Sequence, residues 1–418
     1  MFQTFINAFK IKEIRKKIII TLALIVVYRL GCFIPIPGVN TELLKGAVAN
    51  YDILGFLDLL TGSSFSQFTI FAMGISPYIN ASIILQLLTI AIPALERMSK
   101  EEDGKVKIEK ITRYTGIVLA MVQSIGIFIG LGSQYLVDTS ILTYATIGIC
   151  ATAGTAFLMW LGERITEDGV GNGVSMLIFA SIVSRVPKTF ISLGQQLFVG
   201  ILPWWELIIL AIVVVGLITL VTHVDQAQRR IPVQYAKRVV GRKMFGGQST
   251  YLPIKANSNG VLPLIFALTF LQFPGMIAQF WPNGAFYAFY KTYLGTSSAV
   301  YYIIYALLIV AFGFFYSSVT FNPIEMSKNL QQNGGFITGI RPGKPTSDYL
   351  GKISGRLTLF GSLFLAVVAI LPQLLMRGMA ESSAFGATSV LIMVSVALET
   401  TSQLESHMLM RHYKGFLN

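Results

Sequence analysis

The chain has 418 residues, of which 54% are hydrophobic and only 12% are charged. A composition this apolar excludes an ordinary soluble domain and is typical of a helical protein that crosses a membrane several times. The formal net charge is +12. In a membrane protein, an excess of basic residues is first a signal of orientation in the membrane and only then a signal of partners. Cys32 and Cys150 lie in apolar runs with no CxxC pair, so nothing indicates a disulfide or a metal site.

Residues 1–17 are basic, with several apolar side chains on one side, which predicts an amphipathic segment at the membrane surface. No small-residue cleavage site follows, so we expect a retained first span. Apolar runs of about 20 residues, the length that crosses a bilayer, predict an all-α polytopic protein with ten spans. The fifth run is the least clear, because Arg185 and Lys188 interrupt it. The predicted spans are Ile18–Ile36, Gly74–Ile92, Tyr114–Leu131, Ile141–Leu161, Val174–Leu193, Leu207–Thr222, Val261–Trp281, Val300–Ser317, Leu357–Leu375 and Ala387–Leu404.

The distribution of basic residues predicts which side each connection faces. Of the 32 Lys and Arg residues, 26 lie before the first span, after the last one or in the connections on that same side. Since basic residues are enriched in cytoplasmic loops, we expect both termini, the loops 223–256 and 318–356 and the tail 405–418 to be cytoplasmic.

The stretch 56–93 combines two kinds of segment. Residues 56–71 are short, mixed and rich in Ser, Gly and Phe, whereas Gly74 to Ile92 is long enough to span the bilayer. A non-helical or half-length piece at membrane depth is tolerated only against protein or a water-filled cavity. The pattern therefore indicates a cavity with a small segment inside it. Ile75, Ile79 and Ile83 share one helix face, which is consistent with a pore lining and equally with ordinary helix packing.

The loop 223–256 is rich in Arg and Lys around short alternating apolar runs, and its glycines suggest turns. We expect a basic β-hairpin-like projection there, and a second basic loop, rich in turn formers, at 318–356. One interpretation is that the charges only orient the spans and touch anionic lipids. The alternative is a docking surface for an acidic or polyanionic partner.

Motifs that carry catalysis are not found. Gly343-Lys344 lacks the preceding glycine and the following Ser or Thr of a phosphate-binding loop, so energy would have to come from a partner. Apart from Arg185 and Lys188, which interrupt the fifth run, the charges within predicted spans are Arg29 and Glu399, fewer than an ion-coupled transporter generally needs. A membrane-embedded protease or transferase would need paired acids or a nucleophile with its base. These two classes remain the alternatives to a channel.

Several stretches resemble one family. Gly74 to Thr89 (GISPYINASIILQLLT), Ile165 to Phe179 (ITEDGVGNGVSMLIF), Arg341-Pro342-Gly343 and the tail are similar to motifs of the SecY/Sec61-alpha family of protein-conducting channels, and the likeness covers essentially the whole chain. The resemblance implies ten transmembrane helices in two inverted five-helix halves, 18–193 and 194–404, around a central pore. It also implies a plug at about 56–71.

The resemblance also implies roles for individual residues. A pore ring would comprise Ile75, Ile79, Ile178, Ile182, Ile265 and Ile392. The plug would include Phe56, Leu59, Leu60, Ser64, Phe65 and Phe68. A lateral gate would include Gln86 and Gln272. Docking of a motor or ribosome would involve Arg238, Arg242, Lys243, Arg341, Pro342 and Gly343.

By the same resemblance, the chain would pass unfolded secretory polypeptides across the bacterial plasma membrane and release apolar segments sideways into lipid. It would have no catalytic centre and no cofactor. The partners implied are SecE, SecG, the motor ATPase SecA, the ribosome, signal peptides and nascent chains, with SecDF, YidC and anionic lipids as further contacts.

Overall fold

A computed structural model describes residues 9–50, 52–101, 104–200, 203–235, 238–240, 243–245, 249–257, 259–278, 284–295, 298–375 and 387–414. The structure is mainly helical. Its helices are α1 (Lys12–Gly31), α2 (Thr41–Asn50), α3 (Asp52–Leu60), α4 (Ser76–Ala91), α5 (Pro93–Lys100), α6 (Gly104–Leu131), α7 (Ile141–Asp168), α8 (Gly173–Val199), α9 (Trp204–Gln226), α10 (Leu262–Ala278), α11 (Ala285–Tyr293), α12 (Ala299–Thr320), α13 (Pro323–Gln332), α14 (Lys344–Leu375) and α15 (Ala387–Lys414). The strands are β1 (Gln228–Tyr235), β2 (Arg238–Val240), β3 (Lys243–Phe245), β4 (Ser249–Lys255) and β5 (Gly335–Ile337).

The chain divides into two compact units. One unit contains Met1–Pro203, Thr269–Ser298 and Val396–Asn418, and the other contains Trp204–Leu268 and Ala299–Ser395. The predicted halves 18–193 and 194–404, and their inverted relation, stay predictions.

Each of the ten predicted spans coincides with a helix over most of its length. Within the ranges given above, six helical stretches are long and apolar enough to cross a membrane by themselves: 106–130, 141–168, 173–199, 204–226, 299–332 and 344–374. A seventh candidate is the pair α4 and α5, which meet at an angle of 106°. The bend follows from Pro93, since a residue before proline is pushed out of the helical region, and Ile92 is extended.

Helix ends in the first unit follow their capping residues. Ser140 Oγ accepts a hydrogen bond from the Thr143 amide at the start of α7, and Asn172 Oδ1 accepts one from the Ser175 amide at the start of α8. Such side chains satisfy amides that a helix leaves unpaired. Between these helices, a β-carbon on Gly173 would overlap the carbonyl oxygen of Gly162. The glycine therefore permits α7 and α8 to approach closely.

In the second unit, the loop 223–256 contains the expected antiparallel strands. β1 pairs with β4 from Gln228↔Lys255 to Gln234↔Ser249, and β2 pairs with β3. The sequence did not predict β5, which comes from the loop 318–356 and pairs with the free edge of β1 through Val233↔Ile337. Ile231, Val233 and Ile337 are buried in one apolar cluster with Leu350 of α14. The two basic loops thus share one three-stranded sheet, ordered β4-β1-β5.

Candidate functional site

The segment predicted to be a plug consists of α3 followed by consecutive turns. The helix begins at Asp52, earlier than the expected boundary at residue 56, and ends at Leu60. Ser64, Phe65 and Phe68 are completely buried, and Leu60 is half-buried. Phe56 and Leu59 lie in α3, but their side chains lie outside the described part of the chain. The segment is therefore packed among other elements of its unit.

Phe68 is the apolar anchor of this segment. Its ring lies 4.6 Å from that of Phe128 on α6, centroid to centroid, in an edge-to-face arrangement. It also packs in a buried cluster that includes Ile36, Leu44 and Ile147. The backbone φ angles of Ser63 and Phe68 are positive, 72° and 41°, and a bulky residue rarely adopts this region.

Polar contacts hold the same segment against α8. The Asp58 carboxylate accepts a hydrogen bond from the Ser66 amide through Oδ1 at 2.8 Å. Its Oδ2 lies 3.4 Å from Arg185 Nη2 on α8. The ion pair explains how a basic residue is accommodated within the fifth apolar run, since burying a charge is tolerated when it is paired and hydrogen-bonded.

Tyr28 of α1 contributes a second polar contact. Its hydroxyl lies 2.6 Å from Ser181 Oγ on α8 and donates to the Thr61 carbonyl at 3.3 Å. Gly62 fits between α1 and α8, because a β-carbon there would lie 2.9 Å from Arg29 Nη1 and 3.0 Å from the Ser181 backbone. The Arg29 guanidinium also stacks 5.9 Å from the centre of the Phe33 ring. The sequence did not single out Tyr28, Ser181 or the Asp58–Arg185 pair.

The six predicted pore-ring isoleucines are all buried, with exposed fractions of 8% or less. Ile75 immediately precedes α4, Ile79 lies in its first turn, and Ile178 and Ile182 are one turn apart on α8. These four belong to the first unit, and Ile265 on α10 and Ile392 on α15 belong to the second. Their convergence on one axis stays a prediction.

The two predicted gate residues, Gln86 and Gln272, are half-buried. Gln86 Nε2 donates to Ser82 Oγ at 3.4 Å within the same helix. This hydrogen bond is local to α4. The gate itself stays a prediction.

The residues predicted to dock a partner lie in the loops of the second unit. Arg238 lies on β2 and Lys243 on β3, and the structure describes only their backbone. Arg242 lies outside the described residues. Arg341 and Pro342 are exposed. Two side-chain bonds hold their loop: Thr346 Oγ1 donates to the Arg341 carbonyl at 2.9 Å, and Ser327 Oγ donates to the Gly343 carbonyl at 2.7 Å.

Among the residues with described positions, no group of three or more His, Cys, Asp or Glu side chains is arranged to hold a metal ion. The features that stand out are apolar membrane-length helices and a short segment buried between α1, α6 and α8. Several membrane-length helices with a short segment packed between them define a polytopic helical membrane protein.

Comparisons with known proteins identify the family. The SecY family model matches residues 69–401. The chain is 44% identical over 439 residues to the protein translocase subunit SecY of Streptomyces coelicolor, and 43% identical over 433 residues to that of Bacillus licheniformis, with 100% of each chain covered in both cases. The chain belongs to the SecY family.

Solved structures show the same fold. A protein-conducting channel superimposes with a TM-score of 0.67 at 20% identity, over 94% of this chain and 92% of that one. The Sec61 component of a canine ribosome–channel complex gives a TM-score of 0.62 at 19% identity, with the same coverages. The fold is that of a protein-conducting channel.

Proposed function

We propose that this chain is the channel-forming subunit of a bacterial protein translocase. It passes unfolded secretory polypeptides across the plasma membrane and releases apolar segments laterally into the bilayer. The observation that carries the proposal is the complete burial of Ser64, Phe65 and Phe68, in a segment that contacts α1, α6 and α8, in a chain that belongs to the SecY family. A displaceable segment of this kind would keep the membrane sealed between translocation events.

The proposed conduit narrows at Ile75, Ile79, Ile178, Ile182, Ile265 and Ile392. Branched aliphatic side chains shed water when they close together, and hydrophobic constrictions gate by dewetting. They offer no fixed charge to trap ions and can fit around a passing chain of any sequence. The burial of all six side chains supports this proposal.

The proposed lateral exit opens between the second and third spans on one side and the seventh and eighth on the other, with Gln86 and Gln272 along it. Polar contacts between helices in membranes contribute only about 0.6 kcal/mol on average. A seam that relied on contacts of this strength could open reversibly for an apolar segment.

The proposed energy source is a partner, either the motor ATPase SecA or a translating ribosome, docked on Arg238, Arg242, Lys243, Arg341, Pro342 and Gly343. The excess of basic residues, 26 of 32 on one side of the predicted topology, supports a cytoplasmic location for both loops and both termini. SecE and SecG complete the proposed complex. SecDF, YidC and anionic lipids are further proposed contacts.

A photo-cross-linking experiment tests the pore. A photoreactive amino acid replaces Ile178 or Ile392 in the complex reconstituted with SecA, and a precursor is stalled in transit by a folded domain at its carboxyl end. Both positions should cross-link to the precursor in the presence of ATP. The control is Ile212 of α9, which is 66% exposed. A photoreactive residue at this position should cross-link to lipid and not to the precursor. Equal capture at Ile212 and the ring positions would overturn the proposed conduit.

A further inference from the structure

Asp225 connects three segments of the second unit. It lies in the last turn of α9, where a negative charge is disfavoured by the helix dipole. Its Oδ1 accepts a hydrogen bond from Asn257 Nδ2 at 2.8 Å, and its Oδ2 accepts one from Ser395 Oγ at 2.6 Å. Hydrogen bonds to a carboxylate are roughly twice as strong as neutral ones. The two hydrogen bonds offset the unfavourable interaction of the Asp225 carboxylate with the helix dipole, and they connect α9 to Asn257 and to Ser395.

On one side, Asp225 fixes the base of the sheet formed by β1, β4 and β5, here called the docking sheet. Asn257 follows β4 and is only 7% exposed. The Ala256 amide donates to the Ala227 carbonyl at 2.8 Å, which extends the β1–β4 ladder down to the end of α9. Because β5 is paired with β1, the loop that carries Arg341 is joined to the same base.

On the other side, Asp225 reaches the helix that carries a proposed pore-ring residue. Ser395 and Ile392 are three residues apart on α15 and are both buried, at 6% and 1% exposure. Residues at this spacing lie on neighbouring parts of one helix face. A displacement of Ser395 along or around the helix would therefore move Ile392 with it.

We propose that Asp225 is a positioning residue that couples the docking sheet to the movement of Ile392. When a partner shifts the sheet, the Asn257–Asp225–Ser395 bonds carry the shift to α15 and change the width of the constriction. The inference rests on the proposed function, since it assumes both a docked partner and a pore ring. It adds the physical connection between them, which lies wholly within one unit.

The test separates docking from transport. The complete complex is reconstituted in proteoliposomes with the wild-type chain, Asp225→Asn, Ser395→Ala or both substitutions. The affinity for the motor ATPase and the rate at which a precursor becomes protease-protected are measured on the same preparations. We expect motor affinity within about twofold of wild type and a translocation rate per bound motor that falls by about 2- to 30-fold, the usual range for residues that transmit coupling. The double variant should match the more affected single variant.

Two matched variants complete the test. Asp168 is also an acid at a helix C-terminus, but its side chain is 54% exposed, so Asp168→Asn should leave the rate unchanged. Asp225→Glu keeps the carboxylate and should recover part of the rate. If the Asp225→Asn chain does not assemble into the complex, the translocation rate of Ser395→Ala tests the proposal, because this substitution removes only a hydroxyl group.

Several results would overturn the coupling role. They are additive losses in the double variant, an unchanged rate in both single variants, or a loss of rate fully explained by weaker motor binding. Failure of the wild-type chain to translocate any precursor would instead refute the proposed function, so the two failures are distinguishable.

Discussion

Arg185 Nη2 on α8 lies 3.4 Å from Asp58 Oδ2 on α3, and the Asp58 side chain is only 5% exposed. The pair joins the segment proposed to be the plug to a helix that carries two of the proposed pore-ring isoleucines. Removing Arg185 would leave a buried carboxylate without its charged partner, which costs more than the roughly 1–3 kcal/mol typical of an unpaired neutral group. The ion pair therefore favours the docked position of the segment.

We expect Arg185→Gln to loosen this segment and to raise the resting ion conductance of the channel in planar bilayers. Asp58→Asn should have a similar effect, and the double variant should be less impaired than the sum of both, as for residues in direct contact. The control is Glu167→Gln, since Glu167 belongs to an exposed pair with Arg164 and such pairs contribute little. Conductance at the wild-type level in both single variants would refute a sealing role for the pair.

Tyr28→Phe tests the second polar contact of the same segment. The substitution keeps the ring and removes the hydroxyl that bonds to Ser181 and to the Thr61 carbonyl. A hydrogen bond typically contributes about 0.5–1.5 kcal/mol. If its loss destabilises only the closed state, the open probability at rest should rise by about 2- to 10-fold. Single-channel recording measures this. Tyr293→Phe, at a residue 50% exposed, should change nothing, and an equal rise in both variants would contradict the assignment.

Phe68→Ala tests the apolar anchor. The variant loses the edge-to-face contact with Phe128 and leaves a cavity among buried side chains, for which about 3–5 kcal/mol is typical. Hydrogen exchange of the amides of residues 61–70 should accelerate strongly, while α7 keeps its protection. Phe198→Ala, at a side chain 91% exposed, serves as the control. Unchanged protection of residues 61–70 would show that Phe68 does not hold the segment.

Gly173→Ala tests the contact between α7 and α8. The new methyl group would overlap the Gly162 carbonyl, and overpacking of this kind typically costs about 1–3 kcal/mol. The melting temperature of the detergent-solubilised complex should fall. Gly194→Ala lies in the same helix with nothing within 4 Å of the added carbon, so it should be neutral or slightly stabilising. A lower melting temperature for Gly194→Ala than for Gly173→Ala would contradict this explanation.

The helices were predictable because most of the predicted spans are apolar runs of membrane length, although Arg185 and Lys188 interrupt the fifth one. The contacts of the buried segment could not be predicted, because they join residues that are far apart in sequence. Arg185 illustrates this: it looked like an interruption of an apolar run, and only the fold shows that Asp58 compensates its charge.

The strand β5 was not predicted either. Gly335–Ile337 has three residues, too few for an alternating pattern to be recognised. Its pairing depends on the free edge that β1 offers, which is a property of the folded sheet. The hydrogen bonds that join Asp225 to Asn257 and Ser395 were hidden for the same reason, since these residues come together only when α9, the end of β4 and α15 are packed.

The positive φ angles at Ser63 and Phe68 bear on the energetics of opening. Sparsely populated backbone conformations cost on the order of 1–3 kcal/mol each. A plug that leaves its seat can relax both residues and recover this energy, so the backbone itself favours release. In the proposed channel, the side-chain contacts of this segment must outweigh that backbone cost for the plug to stay in place, so part of their energy only offsets the strain and does not add to the stability of the closed state.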